Sequence, residues 1–400
     1  MSAYQQRPAS TTLQIISIVT FTFNLFLCIG AMLPVLPGFV SHTLGFDSLI
    51  AGVVIGAQYM ATLLMRPLAG RICDNHGPKQ AVIYGLYAMG AGGLLLALAA
   101  GLQMLPWLSL LALLVSRLAI GFAQALMGIG TASWGIARVG VENTAQVISW
   151  NGVVCYGAIA LGAPLGVFMA NGLGLWSIGA ATLVIAGASL LLARSKPAAA
   201  VIPGARMAFH AVLGRMLPYG MCVALGSIGF GTLATFITLY YASRGWADPA
   251  WCLTLFSLTF AGARVLFSGM VNRFGGFNVA IACLLVETLG LLLLWQAPSP
   301  AFALVGAALT GAGLSLVYPA LGVEAVLRIP ASSRSAALGA YALFFDLAMG
   351  VAGPLMGAIA ARSGYPSIFL GAALMSALGF VICLLLQRRS RGPRNEIPLD

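Results

Sequence analysis

Arg117, Glu287, Glu324 and Asp346 each fall inside a long apolar run of this 400-residue chain. An ionisable side chain there is costly unless it faces water or a partner, which makes each of the four a functional candidate by default. Counting about 1.5 Å of helical rise per residue from the ends of the runs, Arg117 lies about 15 Å deep from one side and Asp346 about 15 Å deep from the other. By the same count Glu287 lies about 12 Å in, and Glu324 sits close to the end of its run. A carboxyl in a low-dielectric cavity favours its protonated form, which brings proton exchange into the working pH range. Asp346 is therefore the leading candidate for a proton or cationic-substrate site, with Glu287 and Glu324 as lesser ones. Arg117 is the cation expected to bias a nearby acid. Each acid has a structural alternative: interhelical hydrogen bonding for Asp346, a polar neighbour for Glu287, and for Glu324 a reach to the interface or a pair with Arg328 one turn on.

Asn24, Gln58, Gln124, Trp134, Asn151 and Tyr156 also fall within apolar runs and form a candidate polar cavity lining, suited to hydrogen-bonding a neutral or zwitterionic molecule. Helix-to-helix hydrogen bonding is the alternative for each. Arg66 and Arg264 lie toward the ends of their runs, where a long cationic side chain snorkels to the interface or braces a helix–loop junction. Other chemistries find no support. His42, His76 and His210 fall in three different loops, so no metal cluster is expected. No GxxxxGK[ST] loop appears, which argues against a self-contained ATP-driven pump, and no nucleophile has a base placed beside it by spacing. The seven cysteines form no CxxC pair and read as small apolar packing residues.

The elements that must position these residues are membrane-spanning helices. The composition is 60% apolar and 7% charged, against roughly 25% charged in soluble domains. Apolar runs near 13–36, 49–69, 80–101, 107–135, 146–170, 175–193, 216–243, 250–270, 279–297, 301–326, 336–360 and 367–387 each approach the roughly 20 residues that cross a bilayer. Alternating strand patterns are absent, which excludes a β-barrel. With both termini inside, fifteen of the twenty Lys and Arg fall in cytoplasmic segments. Outside loops hold Arg244 and Arg362 alone, and Arg66, Arg117 and Arg264 lie within spans. That asymmetry is the positive-inside pattern. The net charge of +11 is then an orientation signal and a match to anionic lipid, with no nucleic-acid footprint. The first run follows a short polar leader and reads as an uncleaved span.

The chain repeats itself. GFAQALMG from Gly121 precedes Pro164 by 43 residues, and GAGLSLVYP from Gly311 precedes Pro354 by the same distance, an offset of 190 that also aligns Arg138 with Arg328. At an offset of 198, Arg66 aligns with Arg264, Asp74 with Asn272 and Gly77 with Gly275. The expected architecture is all-α integral membrane, twelve transmembrane helices in two pseudo-symmetric six-helix bundles. Its parts are residues 1–193, a cytoplasmic linker 194–215, residues 216–387 and a cytoplasmic tail 388–400. Such duplications place the substrate path between bundles near the midplane.

At these motifs the chain resembles the major facilitator superfamily, and within it the twelve-helix drug/proton antiporter type. Gly70-Arg71-Ile72-Cys73-Asp74-Asn75-His76-Gly77-Pro78-Lys79 is similar to the superfamily's GxLaDrxGrk loop motif. Gly70, Asp74, Gly77 and Lys79 match, while Asn75 and Pro78 stand where basic residues usually do. Arg117 to Gly121 resembles the RxxxG motif, whose arginine is linked to proton coupling. GAIALGAPLG, with Gly157, Gly162, Pro164 and Gly166, resembles the glycine-proline motif of exporters, and Gly353 and Pro354 repeat part of it. Other stretches resemble the arabinose-efflux-like bacterial permeases.

The resemblance implies proton-coupled efflux of a small organic solute by alternating access, across a bacterial inner membrane. It implies a monomer needing no cofactor beyond the proton gradient, with Asp74 in a gating loop. Helix 9, which carries Glu287, is usually peripheral in that superfamily. Drug antiporters of this type often keep an acid in helix 1, where this chain has Asn24, so the coupling site is expected in the second bundle at Asp346, faced by Arg117. Uptake by symport, or a sensor on a transporter scaffold, are the alternatives.

Overall fold

The computed structural model describes residues 11–140, 143–198, 209–267, 269–326 and 334–391, and of Asp74, 144–145, 209–212, Asn272, 326, 334–339 and 391 the backbone alone. Arg328, the middle of the expected linker and most of the expected tail lie outside the described residues. Among the described residues there are thirteen helices of ten residues or more: α1 (Thr11–Met32), α2 (Ser48–His76), α3 (Pro78–Gly101), α4 (Pro106–Val139), α5 (Thr144–Leu173), α6 (Leu175–Ser195), α7 (Phe209–Arg244), α8 (Ala250–Leu266), α9 (Gly276–Trp295), α10 (Pro300–Ser315), α11 (Val317–Val326), α12 (Arg334–Ser363) and α13 (Pro366–Arg391). α10 and α11 together form one span. Among the described residues, eleven spans are long and apolar enough to cross a membrane, and α8, with 17 residues, is a shorter apolar helix. The first span runs further than the apolar pattern indicates, because Leu36–Gly38 and a π turn at Phe39–Thr43 continue it.

Helix packing follows the repeat. α1 packs on α5, α2 and α3 on α4, and α3 on α6, and the same pairings recur as α7 on α12, α8 and α9 on α10, and α9 on α13. The two sets meet through α2 against α12 and α5 against α8. The face at which α1 begins is called here the near face, and the opposite one the far face. Trp107, Trp176 and Trp251 each stand second in a helix that begins at the far face, and each is more than half exposed. Tryptophans so placed match the aromatic enrichment of membrane proteins at the lipid–water boundary. Leu64, Phe168, Val184 and Leu191 are exposed along the helix flanks, the apolar surface that hydrocarbon covers.

Prolines inside the spans decide where carbonyls are left free. Proline has no N–H, so the carbonyl four residues earlier loses its helical partner. Pro164 frees Ala160, whose oxygen accepts from Thr254 Oγ1 of α8 at 3.1 Å. Pro354 frees Gly350, and Gly56 of α2 packs against that oxygen so closely that a Cβ there would stand 2.5 Å from it. These two places are related by the repeat, and both join the two sets. Pro319 frees Ser315 and breaks the span into α10 and α11, and the Ser315 oxygen accepts from Arg264 Nη2 at 2.7 Å.

Gly52 meets Gly353 backbone to backbone, and Gly357 lies against Ser48 and Leu49, closing α2 on α12 in the far half of both helices. Thr238 Oγ1 of α7 donates to the Pro34 oxygen at 2.6 Å on the same side. Within the first set, Gly162 and Gly166 of α5 lie against the α1 backbone from Leu27 to Ala31. A side chain at either would collide with main chain, so small residues set this approach.

α2 and α3 are joined by Gly77 at φ 88°, ψ 156°, and Gly275 before α9 adopts φ 83°, ψ 151°. That region is open essentially to glycine alone. The expected ten-residue loop from Gly70 to Lys79 is thus a helix end and a one-residue corner, because α2 continues to His76. Gly77→Ala and Gly275→Ala are each expected to lower stability by about 1–3 kcal/mol, read as the unfolding midpoint of purified protein. Gly70→Ala, where an added methyl meets nothing within 4 Å, is the control and should cost nothing.

Candidate functional site

A cavity of about 170 Å³ opens between the two sets, the volume of about six waters at liquid density. From the first set Arg66 of α2 and Tyr156 of α5 face it, and from the second come Ser227, Phe260, Arg264, Tyr318 and Phe345, with apolar Val223, Leu314 and Ala342. Arg66 Nε donates to Asp346 Oδ2 of α12 in an ion pair between the sets, the only salt bridge among the described residues. Asp346 is 1% exposed and its Oδ1 has no hydrogen-bond partner. Tyr59 and Tyr318 stand within electrostatic reach of the same carboxylate.

Arg264 approaches from the other side. Its guanidinium lies over the Phe260 ring at 4.9 Å, and its Nε is buried without a partner. Tyr156 stacks on Phe260 with ring centroids 3.5 Å apart. Ser227, wholly buried, has an unpartnered hydroxyl. Arg66 and Arg264 were expected to snorkel to the interface or to brace a helix–loop junction. The structure corrects this: α2 and α8 lie on the interface between sets, so both side chains turn inward to the cavity instead of outward to lipid.

A sequence profile described as Major Facilitator Superfamily matches residues 18–250 and 220–399. An uncharacterized MFS-type transporter of Pseudomonas aeruginosa is 56% identical over 384 residues, covering 96% of each chain. One of Burkholderia pseudomallei is 50% identical over 380 residues, covering 95% of this chain and 93% of the relative. The chain belongs to the Major Facilitator Superfamily. Two solved transporter structures share the fold. The human organic anion transporter MFSD10 matches with a TM-score of 0.71 at 17% identity, over 94% of this chain and 100% of that one. The nucleoside transporter NupG matches at 0.69 and 14% identity, over 95% and 100%. This superfamily member is a multi-pass secondary transporter of small molecules.

Within that superfamily fold the remaining candidates divide. Arg117 does not face Asp346. It is wholly buried, with Nη1 donating to Gln58 Oε1 at 3.0 Å and Nη2 set 2.8 Å from Met32 Sδ. Gln58 in turn donates to Gln124 at 2.8 Å, so this network stays inside the first set and Arg66 takes the acid. Thr22 donates to Asn151 at 2.8 Å and Asn24 donates to Ser189 at 2.8 Å, both helix-to-helix bonds. Trp134 is wholly buried, stacked on Phe21, and its indole donates to the Pro197 oxygen at 3.2 Å. Of the six expected lining residues, Tyr156 alone lines this cavity.

The other acids also lie elsewhere. Glu287 is wholly buried inside the second set, where Ser376 donates to Oε2 at 3.4 Å and Oε1 has no partner. Gly226 and Gly229 of α7 make the room for it: a Cβ at Gly229 would stand 2.8 Å from Oε1. Glu324 accepts from the Gly276 N–H at 3.1 Å, placing a negative charge at the N-terminus of α9 where the helix dipole favours it. Lys79 donates to the Arg194 and Lys196 oxygens at 3.0 and 2.5 Å, tying α3 to the C-terminal end of α6 within one set. The side chain of Asp74 lies outside the described residues. Gly157 has open space where a Cβ would be, unlike Gly162 and Gly166. Among the described residues there is no group of three or more His, Cys, Asp or Glu that could hold a metal.

Ser227, Phe260, Tyr318 and Phe345 were not singled out from sequence. Tyr318 had a legible signal, since it directly precedes the proline that breaks its span.

Proposed function

We propose that the chain exports a small organic solute by alternating access, coupled to downhill proton entry through Asp346. The observation that carries this reading is the Arg66–Asp346 pair, which joins the two sets beside the cavity. Protonating Asp346 removes the negative charge that holds Arg66, so one proton weakens a contact between the halves that must rock against each other. The far-side closure through Gly52, Gly353 and Gly357 supports a cavity that communicates with the near face in this state. The near face is the cytoplasmic one in this reading, as the basic residues argue. The carrier then works as a monomer with no cofactor, in a bacterial inner membrane, with 194–215 linking the two bundles.

Everted vesicles carrying the protein test the mechanism, using a solute found by comparing susceptibility and metabolite release in cells with and without the chain. Addition of solute to vesicles acidified inside is expected to release protons. Protons entering with the solute would instead make the protein a symporter, and binding without flux would make it a sensor.

A further inference from the structure

The cavity breaks the symmetry of the repeat at one position. The offset of 198 relates Arg66 to Arg264, and the offset of 190 relates Tyr156 to Asp346. The same two offsets operate in space, since α2 meets α12 and α8 meets α5. On one side of the pseudo-two-fold axis the arginine meets a carboxylate across the interface. On the other, the position equivalent to that carboxylate is Tyr156, and no described carboxylate pairs with Arg264. A guanidinium half-turned from water into a low-dielectric site is costly without an anion. Here its Nε is buried and unpartnered, its Nη2 is satisfied only by the carbonyl that Pro319 releases, and the unpartnered Ser227 hydroxyl lines the same space.

We propose that the transported solute is a small aromatic or apolar organic anion whose acidic group supplies the missing partner of Arg264. This rests on the transport reading above and names its substrate class. Phe260, Phe345, Tyr156 and Tyr318 give the body of such a molecule an aromatic wall, and the anionic group pairs with the guanidinium in the manner of Asp346 with Arg66. An anion takes the place of the neutral or zwitterionic solute of the sequence reading, because the amides expected to bind that solute are engaged in helix-to-helix bonds within the first set.

Thermal unfolding of the purified full-length protein with benzoate, phenylacetate, benzamide or benzylamine tests this. At least one of the two anions should raise the unfolding temperature in a dose-dependent way, and the neutral and cationic analogues should not. Arg264→Gln should weaken anion binding by at least about tenfold, as loss of one partner of a desolvated charge pair does. Tyr156→Glu rebuilds the symmetric ion pair inside the protein and should abolish the anion effect, whereas Tyr156→Gln, of the same size and uncharged, should weaken it clearly less. All three variants are first checked for an unliganded midpoint near the wild type, and where one fails to fold, the comparison of the anions with their neutral and cationic analogues on the wild-type protein decides. Protection by benzamide or benzylamine equal to that by the anions overturns the proposal, as does protection by neither anion, or equal anion binding in Tyr156→Glu and Tyr156→Gln. The transport reading fails separately. Anion binding as stated without proton exchange in vesicles would remove the antiport alone, and proton-linked flux of a cation would remove this inference alone.

Discussion

Asp346→Asn is expected to leave a folded carrier that no longer responds to an imposed pH gradient. Gradient-driven flux should fall by at least about tenfold, a ratio equivalent to 1.4 kcal/mol, while solute exchange without a gradient persists. Asparagine keeps the shape and a hydrogen-bond acceptor for Arg66 but cannot exchange a proton. Asp346→Ala goes further, because Arg66 is then a largely buried cation with no counter-charge, at a cost of about 3–5 kcal/mol in stability. Arg66→Met combined with Asp346→Leu should recover most of that stability, since replacing a whole buried pair by apolar groups is often neutral. It should not recover the pH response. Flux assays in vesicles and unfolding midpoints of the purified variants read these outcomes, and full pH-driven transport by Asp346→Asn would falsify the proton role.

Gly353→Val is expected to cripple transport by opening the far side. Gly52 and Gly353 touch through main-chain atoms, and a Cβ on either overlaps the partner's backbone. Neither helix can yield by changing a rotamer, so α2 and α12 must separate. The Ser48 hydroxyl, which donates to the Gly357 oxygen at 3.2 Å, loses its partner as they part. Flux should fall by about tenfold or more, and a cysteine placed at Ser48 should react faster with a membrane-impermeant maleimide. An overlap with main chain falls in the class of overpacking that typically costs about 1–3 kcal/mol, and here it acts on one conformational state more than on the other. Gly187→Ala, at a position with nothing within 4 Å, should change neither reading. If Gly353→Val keeps wild-type flux and protection of position 48, the far-side closure has no part in the cycle.

The repeat offsets carried more than the ionisable residues did. Pro164 and Pro354, read as parts of a motif, proved to release the Ala160 and Gly350 carbonyls at equivalent contacts between the two sets. Gly77 and Gly275, aligned by sequence, share one backbone conformation. By contrast, depth along a helix was a poor guide to partners. Arg117 and Asp346 were matched in depth, yet Arg117 turns toward α1 and α2, where Gln58 and Met32 take its two terminal nitrogens and Nε stays buried without a partner. Arg66, placed near a helix end, reaches the acid instead.

What the sequence by itself determined is what depends on composition along one chain: apolar runs of bilayer length, the crowding of basic residues into alternate loops, the duplication, and the glycines and prolines that only certain backbones accept. Membership of the superfamily followed from the same residues. Only the tertiary structure decided which charges meet. Arg66 and Asp346 are 280 positions apart, and their pairing depends on how each helix is rotated about its axis and which helices cross between the halves. Rotation is set by packing of many small residues at once, and no apolar run reports it, because a span surrounded by other helices is apolar on every side.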